Sequence, residues 1–122
     1  MREPVWIDER DAIAIHDRLL RLHGGPAGTR DESLLKSALE YSEGADLIDL
    51  AAVYTAGILQ NHPFVDGNKR TGFVIGILFL ELNGFRFKGS EENATQAVLE
   101  LAAGSLDEPG YARFLRENVV SG

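Results

Sequence analysis

Apolar positions recur at intervals of three and four along most of the chain, broken by short clusters of Gly, Pro, Asn and Asp. That pattern predicts amphipathic helices joined by turns. Asp8 opens a helix to about His23, with Ile13, Leu19, Leu20 and Leu22 near one face, closed by Gly24, Gly25 and Pro26. Asp31 caps a second, carrying Leu34, Leu35, Ala38 and Leu39 and ending at Gly44. Asp46 opens a third, which runs through Leu50, Tyr54 and Leu59 to Asn61. A fourth, from Asn68 to about Asn83, is apolar nearly all round and therefore belongs at the centre. Asn83 and Gly84 stop it, and the alternation Phe85, Arg86, Phe87, Lys88 predicts a short extended piece. Ser90 caps a helix over 91–103 with Ala94, Ala97, Val98, Leu101 and Ala102 facing inward, and Asp107 starts a last one through Tyr111, Phe114 and Leu115. The expected fold class is all-α, a compact bundle of about six helices with room for one short extended segment.

Composition narrows the class without naming a chemistry. At 122 residues, 44% hydrophobic and 25% charged, the chain is expected to form one domain over 1–122 with a single core. It has no cysteine, which excludes disulfides and thiolate metal sites and suits a reducing, cytoplasmic location. The longest apolar segment, Phe73 to Leu82, is too short to span a bilayer, and no signal-like stretch opens the sequence, so no membrane role is expected. A net charge of −7 has the wrong sign for holding nucleic acid by its phosphates, and no direct nucleic-acid partner is expected.

The chemistry is concentrated in residues 62–72, His-Pro-Phe-Val-Asp-Gly-Asn-Lys-Arg-Thr-Gly, between the third and fourth helices. His62 precedes Pro63, which disfavours helix for the residue before it and sets the imidazole at a helix end, facing out. Histidine side chains titrate near neutrality, so His62 is the candidate general base. Asp66 is a hard oxygen ligand of the kind Mg²⁺ takes alongside waters and substrate phosphates. Gly67 permits a tight turn, and Asn68 begins the next helix and is placed to cap it. The free N–H groups near Asn68, Lys69 and Arg70, with the helix dipole, would attract an anion. Lys69 would act there as a point charge and Arg70 as a fork for phosphate oxygens, while Phe64 anchors the loop to the core. Taken singly, each of these residues has an ordinary reading as turn, cap or surface. Together they break a rule, because two cations stand at the positive end of a helix dipole, and a bound anion would resolve the conflict. His16 and His23, seven apart on the first helix, read as packing or surface residues rather than a metal pair. A Walker A loop is excluded by spacing and by the lack of a preceding strand.

This segment resembles the active-site motif of the Fic/Doc superfamily: His, any residue, Phe, any residue, acidic, small, Asn, Gly or Lys, Arg. Lys69, where most Fic enzymes have Gly, points to the death-on-curing (Doc) branch. The blocks Ile15 to Asp17, Gly24 to Leu39 and Leu78 to Gly84 extend the resemblance over nearly the whole chain. It implies a helical Fic/Doc-type fold with His62 as base, Asp66 on Mg²⁺, and Gly67, Asn68, Lys69 and Arg70 around the phosphates of ATP. Fic enzymes mostly transfer AMP to a protein hydroxyl. Doc toxins instead hold ATP in reversed orientation and phosphorylate a threonine of elongation factor Tu, halting translation. Phe73 stands where Fic enzymes usually have a further Arg, which with Lys69 favours the kinase outcome. The alternatives are AMP transfer, a small ribonuclease built on His62 and Arg70, and a binding module without catalysis.

Many Fic proteins carry an inhibitory Ser/Thr, three residues, Glu, then Gly or Asn. Here Glu43, Glu92 and Glu117 precede Gly or Asn, but Leu39, Lys88 and Arg113 occupy the position four earlier. The resemblance therefore implies restraint by a separate Phd-type antitoxin, folding as a helix in a groove of the bundle.

Overall fold

The computed structural model describes residues 4–25, 28 and 46–121. The order of elements is α1 (Glu9–His23), α2 (Leu47–Asn61), α3 (Asn68–Leu82), β1 (Phe85–Phe87), α4 (Glu91–Ala103), α5 (Glu108–Glu117) and β2 (Val119–Ser121). The expected helix from Asp31 to Gly44 lies outside the described residues. Four of the five described helices start where a side chain accepts a backbone N–H three residues on: Asp8 from Asp11, Asp46 from Asp49, Ser90 from Asn93 and Asp107 from Gly110. At α1 the bond is reciprocal, Asp11 accepting from the Asp8 N–H in a capping box.

Packing centres on the α2–α3 pair. On α2, Leu50, Ala51, Ala52, Tyr54, Thr55, Ala56, Ile58 and Leu59 are all buried. α3 lies so close that a Cβ on Gly76 would fall 2.4 Å from Thr55 Oγ1 and 3.1 Å from the Ala51 carbonyl. Only glycine fits that crossing. α3 also touches α1, α4 and β1, which places it centrally as its composition predicts. It is less covered than expected, however: Phe73, Val74 and Ile77 open onto a groove and Leu82 is exposed. Leu22 on α1 and Ala102 on α4, expected to face inward, are likewise exposed. The inward stripe of α1 runs instead through Ala12 and His16.

The all-α expectation holds apart from one small sheet. β1 pairs antiparallel with β2, Phe85 opposite Ser121 and Phe87 opposite Val119. The extended piece at Phe85–Phe87 was expected; its partner at the Val119-Val120 pair was not, although two β-branched residues favour a strand. The segment before α1 is pinned by reciprocal bonds between Val5 and the Asn83 amide, and between Ile7 and the Tyr54 hydroxyl. Arg116 at the end of α5 reaches Asp46 and Asp49 at the start of α2, at 2.7 and 2.9 Å. Slight burial raises the Asp46 carboxyl, but the Asp49 N–H and the Arg116 guanidinium outweigh it and leave the group below its ordinary value. Solvent screening limits the pair to at most about 1 kcal/mol.

Tyr111 of α5 is fully buried, and no well-formed hydrogen bond reaches its hydroxyl among the described residues. Burial pushes its phenol from 10.0 up to about 12, only partly offset by the Thr55 hydroxyl. The neutral form is thus favoured in the folded chain, so this contribution is complete below pH 10 and is lost as pH rises towards about 12. Tyr111→Phe is expected to be neutral or slightly stabilising at pH 8, since it removes an unpaired buried hydroxyl. It should also remove about 1.4 kcal/mol of destabilisation at pH 11, one unit above the unfolded value. Urea unfolding of both chains at pH 8 and pH 11 checks this, and an unchanged alkaline slope would contradict it.

Candidate active site

The loop from His62 to Gly67 is built by four local devices. His62 ends α2 in the left-handed region (φ 47, ψ 55), donating its N–H to the Ile58 carbonyl at 3.0 Å. It is the one non-glycine residue with positive φ among the described residues, and its side chain is exposed. Pro63 and Phe64 then turn inward, Phe64 to 1% exposure, which makes it the anchor expected from sequence. The Asn68 side chain closes the loop by bonding both ways with the Phe64 peptide, accepting its N–H at 3.1 Å and donating to its carbonyl at 3.0 Å. Gly67, also left-handed (φ 79), is the N-cap of α3.

This corrects the role expected for Asn68. Its side chain is committed to Phe64 and caps nothing, so the start of α3 has no side-chain cap. The first intrahelical bond runs from the Thr71 N–H to the Gly67 carbonyl. The N–H groups of Asn68, Lys69 and Arg70 therefore have no intrahelical partner. The first turn of α3 contains no acid, whereas the first turns of the other four described helices do. Lys69 and Arg70 are both exposed at this end. One turn in, the Thr71 hydroxyl is buried without a partner among the described residues.

Asp66 presents an exposed carboxylate at the crest of the loop. Among the described residues no cluster of three or more His, Asp or Glu side chains could hold a metal by itself. The donor set still fits Mg²⁺, which takes one or two protein carboxylates and completes its shell with waters and phosphate oxygens. The start of α3 also borders a groove of about 610 Å³, lined by Lys69, Arg70 and His23 and by the apolar Phe73, Val74, Ile77, Val98 and Leu99.

Sequence reasoning missed one residue of this site. His16, read as packing, is 1% exposed, and its ring lies parallel on Phe64 with centroids 3.9 Å apart. Its Nε2 is 2.6 Å from the Asp66 carbonyl. The carbonyl only accepts, so Nε2 carries the proton and donates it; Nδ1 lies 4.0 Å from the Asp17 carboxylate. The available signal was a polar ring on the apolar stripe of α1, four residues after Ala12, which requires a buried partner. His23 is exposed on the groove, whereas His16 is buried.

The helical bundle thus exposes a His, an Asp and an uncapped, cation-bearing helix start on one loop. The chain belongs to the Fic/Doc family, in its Doc branch: the family model "Fic/DOC family" matches residues 6–80. It is similar to "Protein kinase doc" of Escherichia phage P1, 32% identical over 117 residues, which cover 90% of this chain and 92% of that protein. It is also similar to "Toxin Doc" of Mycolicibacterium smegmatis, 38% identical over 69 residues, covering 50% of this chain and 53% of that one. No helix among the described residues is long and apolar enough to cross a membrane.

Proposed function

We propose that this chain is a Doc-type toxin that transfers the γ-phosphoryl group of ATP to a protein hydroxyl, with a threonine of elongation factor Tu as the acceptor. The observation that carries the reading is the uncapped, acid-free start of α3 with Lys69 and Arg70 exposed, Arg70 four residues after Asp66 and eight after His62 at the end of one anchored loop. The N–H groups of that helix start, with Lys69 and Arg70, would hold and neutralise the phosphates. His62 would take the proton of the attacking hydroxyl at an imidazole nitrogen as the new oxygen–phosphorus bond forms and the bond to the ADP oxygen breaks. Asp66 would hold Mg²⁺, which when bound supplies charge neutralisation between the phosphates.

Phosphoryl rather than AMP transfer is supported on two grounds. Lys69 adds a cation at the helix start, and Phe73, in place of a second arginine, is a half-buried ring set edge-on against Phe87 with centroids 5.7 Å apart. The phage P1 relative is also named a protein kinase. Restraint would come from a Phd-type antitoxin whose helix lies in a groove of the bundle; the apolar and cationic lining of the groove beside α3 suits such a helix carrying acids. The reading places the chain in the cytoplasm with its target.

The test is the intact mass of purified elongation factor Tu after incubation with this protein and Mg-ATP. A gain of one phosphoryl group, lost on chelation of Mg²⁺, is expected. A gain of AMP would replace the kinase reading with Fic-type transfer, and an unchanged mass would remove elongation factor Tu as the acceptor. RNA cleavage that survives chelation would favour the ribonuclease reading instead.

A further inference from the structure

The loop that carries Asp66 has little to hold it in place from its own sequence. Asn68 fixes Phe64, two residues before Asp66, and the Val65 N–H donates to the Gly28 carbonyl at 3.1 Å. Asp66 itself is exposed, in a bend between a buried ring and a left-handed glycine. A carboxylate in such a bend has many orientations, and a metal or phosphate ligand works only when its position is set beforehand.

We infer that α1 is the seat of this carboxylate, with His16 and Gly25 as positioning residues. His16 acts on the backbone. Its Nε2–H bonds the Asp66 carbonyl at 2.6 Å while its ring stacks on Phe64 at 3.9 Å, so one buried side chain grips the loop on both sides of Val65. Gly67 follows at once in the left-handed region, φ 79, where glycine carries no steric penalty. Gly25 stands beside the side chain: at φ 121 it is a position suited to glycine, and a Cβ there would fall 2.8 Å from Asp66 Oδ2 and turn the carboxylate aside. The backbone of Asp66 is thus held from the middle of α1, and its carboxylate lies against the backbone just past the end of that helix.

The histidine is more than a space-filling ring. Phenylalanine would give Phe64 an equal stacking partner, but it would leave the buried side of the Asp66 carbonyl without a donor. Glutamine would restore a donor near the position of Nε2 and lose the stack. The two substitutions therefore separate packing from the hydrogen bond. This inference rests on the reading of the loop as a phosphotransfer site, but its first measurement does not.

That measurement is amide hydrogen exchange of the free chain, without nucleotide or metal. His16→Phe should leave the thermal midpoint nearly unchanged and speed exchange of the Phe64 and Val65 amides about fivefold to tenfold, the worth of one hydrogen bond. His16→Gln should bring it back. In phosphotransfer assays, kcat should fall about tenfold or more in His16→Phe and recover in His16→Gln. Gly25→Ala, which also strains a backbone at φ 121, should raise the Mg²⁺ concentration for half-saturation of nucleotide binding while the Phe64 amide, bonded to Asn68, exchanges as in the parent.

Unchanged exchange in His16→Phe, or faster exchange throughout the bundle with a lowered midpoint, would reduce His16 to a core residue and overturn the proposal. So would an unaltered Mg²⁺ requirement in Gly25→Ala. If His16→Phe fails to fold, His16→Gln decides alone: parent-like exchange at Phe64 and Val65 supports the hydrogen bond, and accelerated exchange refutes it. A parent chain that transfers no phosphoryl group would sink the functional reading while leaving the exchange result to judge the positioning.

Discussion

His62→Gly is expected to abolish transfer and to leave the chain at least as stable as the parent, a pairing unusual for a substitution that removes a large side chain. The reason lies in the backbone. His62 holds φ 47 and ψ 55 at the end of α2, a left-handed conformation that costs a residue with a Cβ about 1–2 kcal/mol. The chain spends that energy to leave the helix abruptly, so that the imidazole faces outward while Pro63 and Phe64 turn into the core. Glycine adopts the same φ without the steric penalty, although its freedom in the unfolded chain offsets part of the gain. His62→Ala removes the imidazole and keeps the strain.

Both variants should lose about 10²–10⁴-fold in transfer, the usual contribution of a general base. Both should bind nucleotide as the parent does, since Lys69 and Arg70 are untouched. The thermal midpoint of His62→Gly should lie above that of His62→Ala. Activity retained in either variant would remove His62 from the chemistry. An alanine variant as stable as the glycine one would show that no strain is held there.

What was legible in the sequence divides by range of interaction. A cap is a contact between residues three apart, so Asp8, Asp46, Ser90 and Asp107 announce their helices locally, and all four bonds are present. The inward burial of Phe64 and the exposed helix-end position of His62 follow from equally local chemistry, an aromatic ring after Pro63 and a histidine before it. Asn68 shows the limit of that logic. At a helix start its side chain is an ordinary cap, but the Phe64 peptide four residues back competes for the same donor and acceptor and takes both.

Longer-range contacts were not legible. The grip of His16 on Asp66 spans fifty residues and exists only because α1 packs on α3. The strand at Val119–Ser121 needed the knowledge that the chain end returns to Phe85–Phe87. The apolar belt of α3 correctly announced a central helix, but no periodicity tells that Phe73, Val74 and Ile77 line a groove. The candidate catalytic side chains were therefore readable, and what orients them was not.

The clearest mark of function in the sequence, two cations at the positive end of a helix, gives the second large effect. Lys69→Glu combined with Arg70→Glu should raise stability and destroy nucleotide binding. Each acid in the uncapped first turn of α3 would complement the helix dipole by about 0.3–1 kcal/mol, and each removed cation relieves a repulsion of similar size. Against this, each exchange subtracts two charges and takes the formal net charge from −7 to −11. That wider repulsion is screened over about 8 Å at physiological salt, so the local term wins and a rise of about 3 °C in thermal midpoint is expected. Loss of two charge-assisted phosphate contacts, about 1.5–3 kcal/mol each, should weaken ATP binding by at least about a hundredfold. Calorimetric unfolding and ATP titration of the double variant decide the matter together. If stability falls and binding is unchanged, Lys69 and Arg70 are ordinary surface residues, and the uncapped start of α3 needs another explanation.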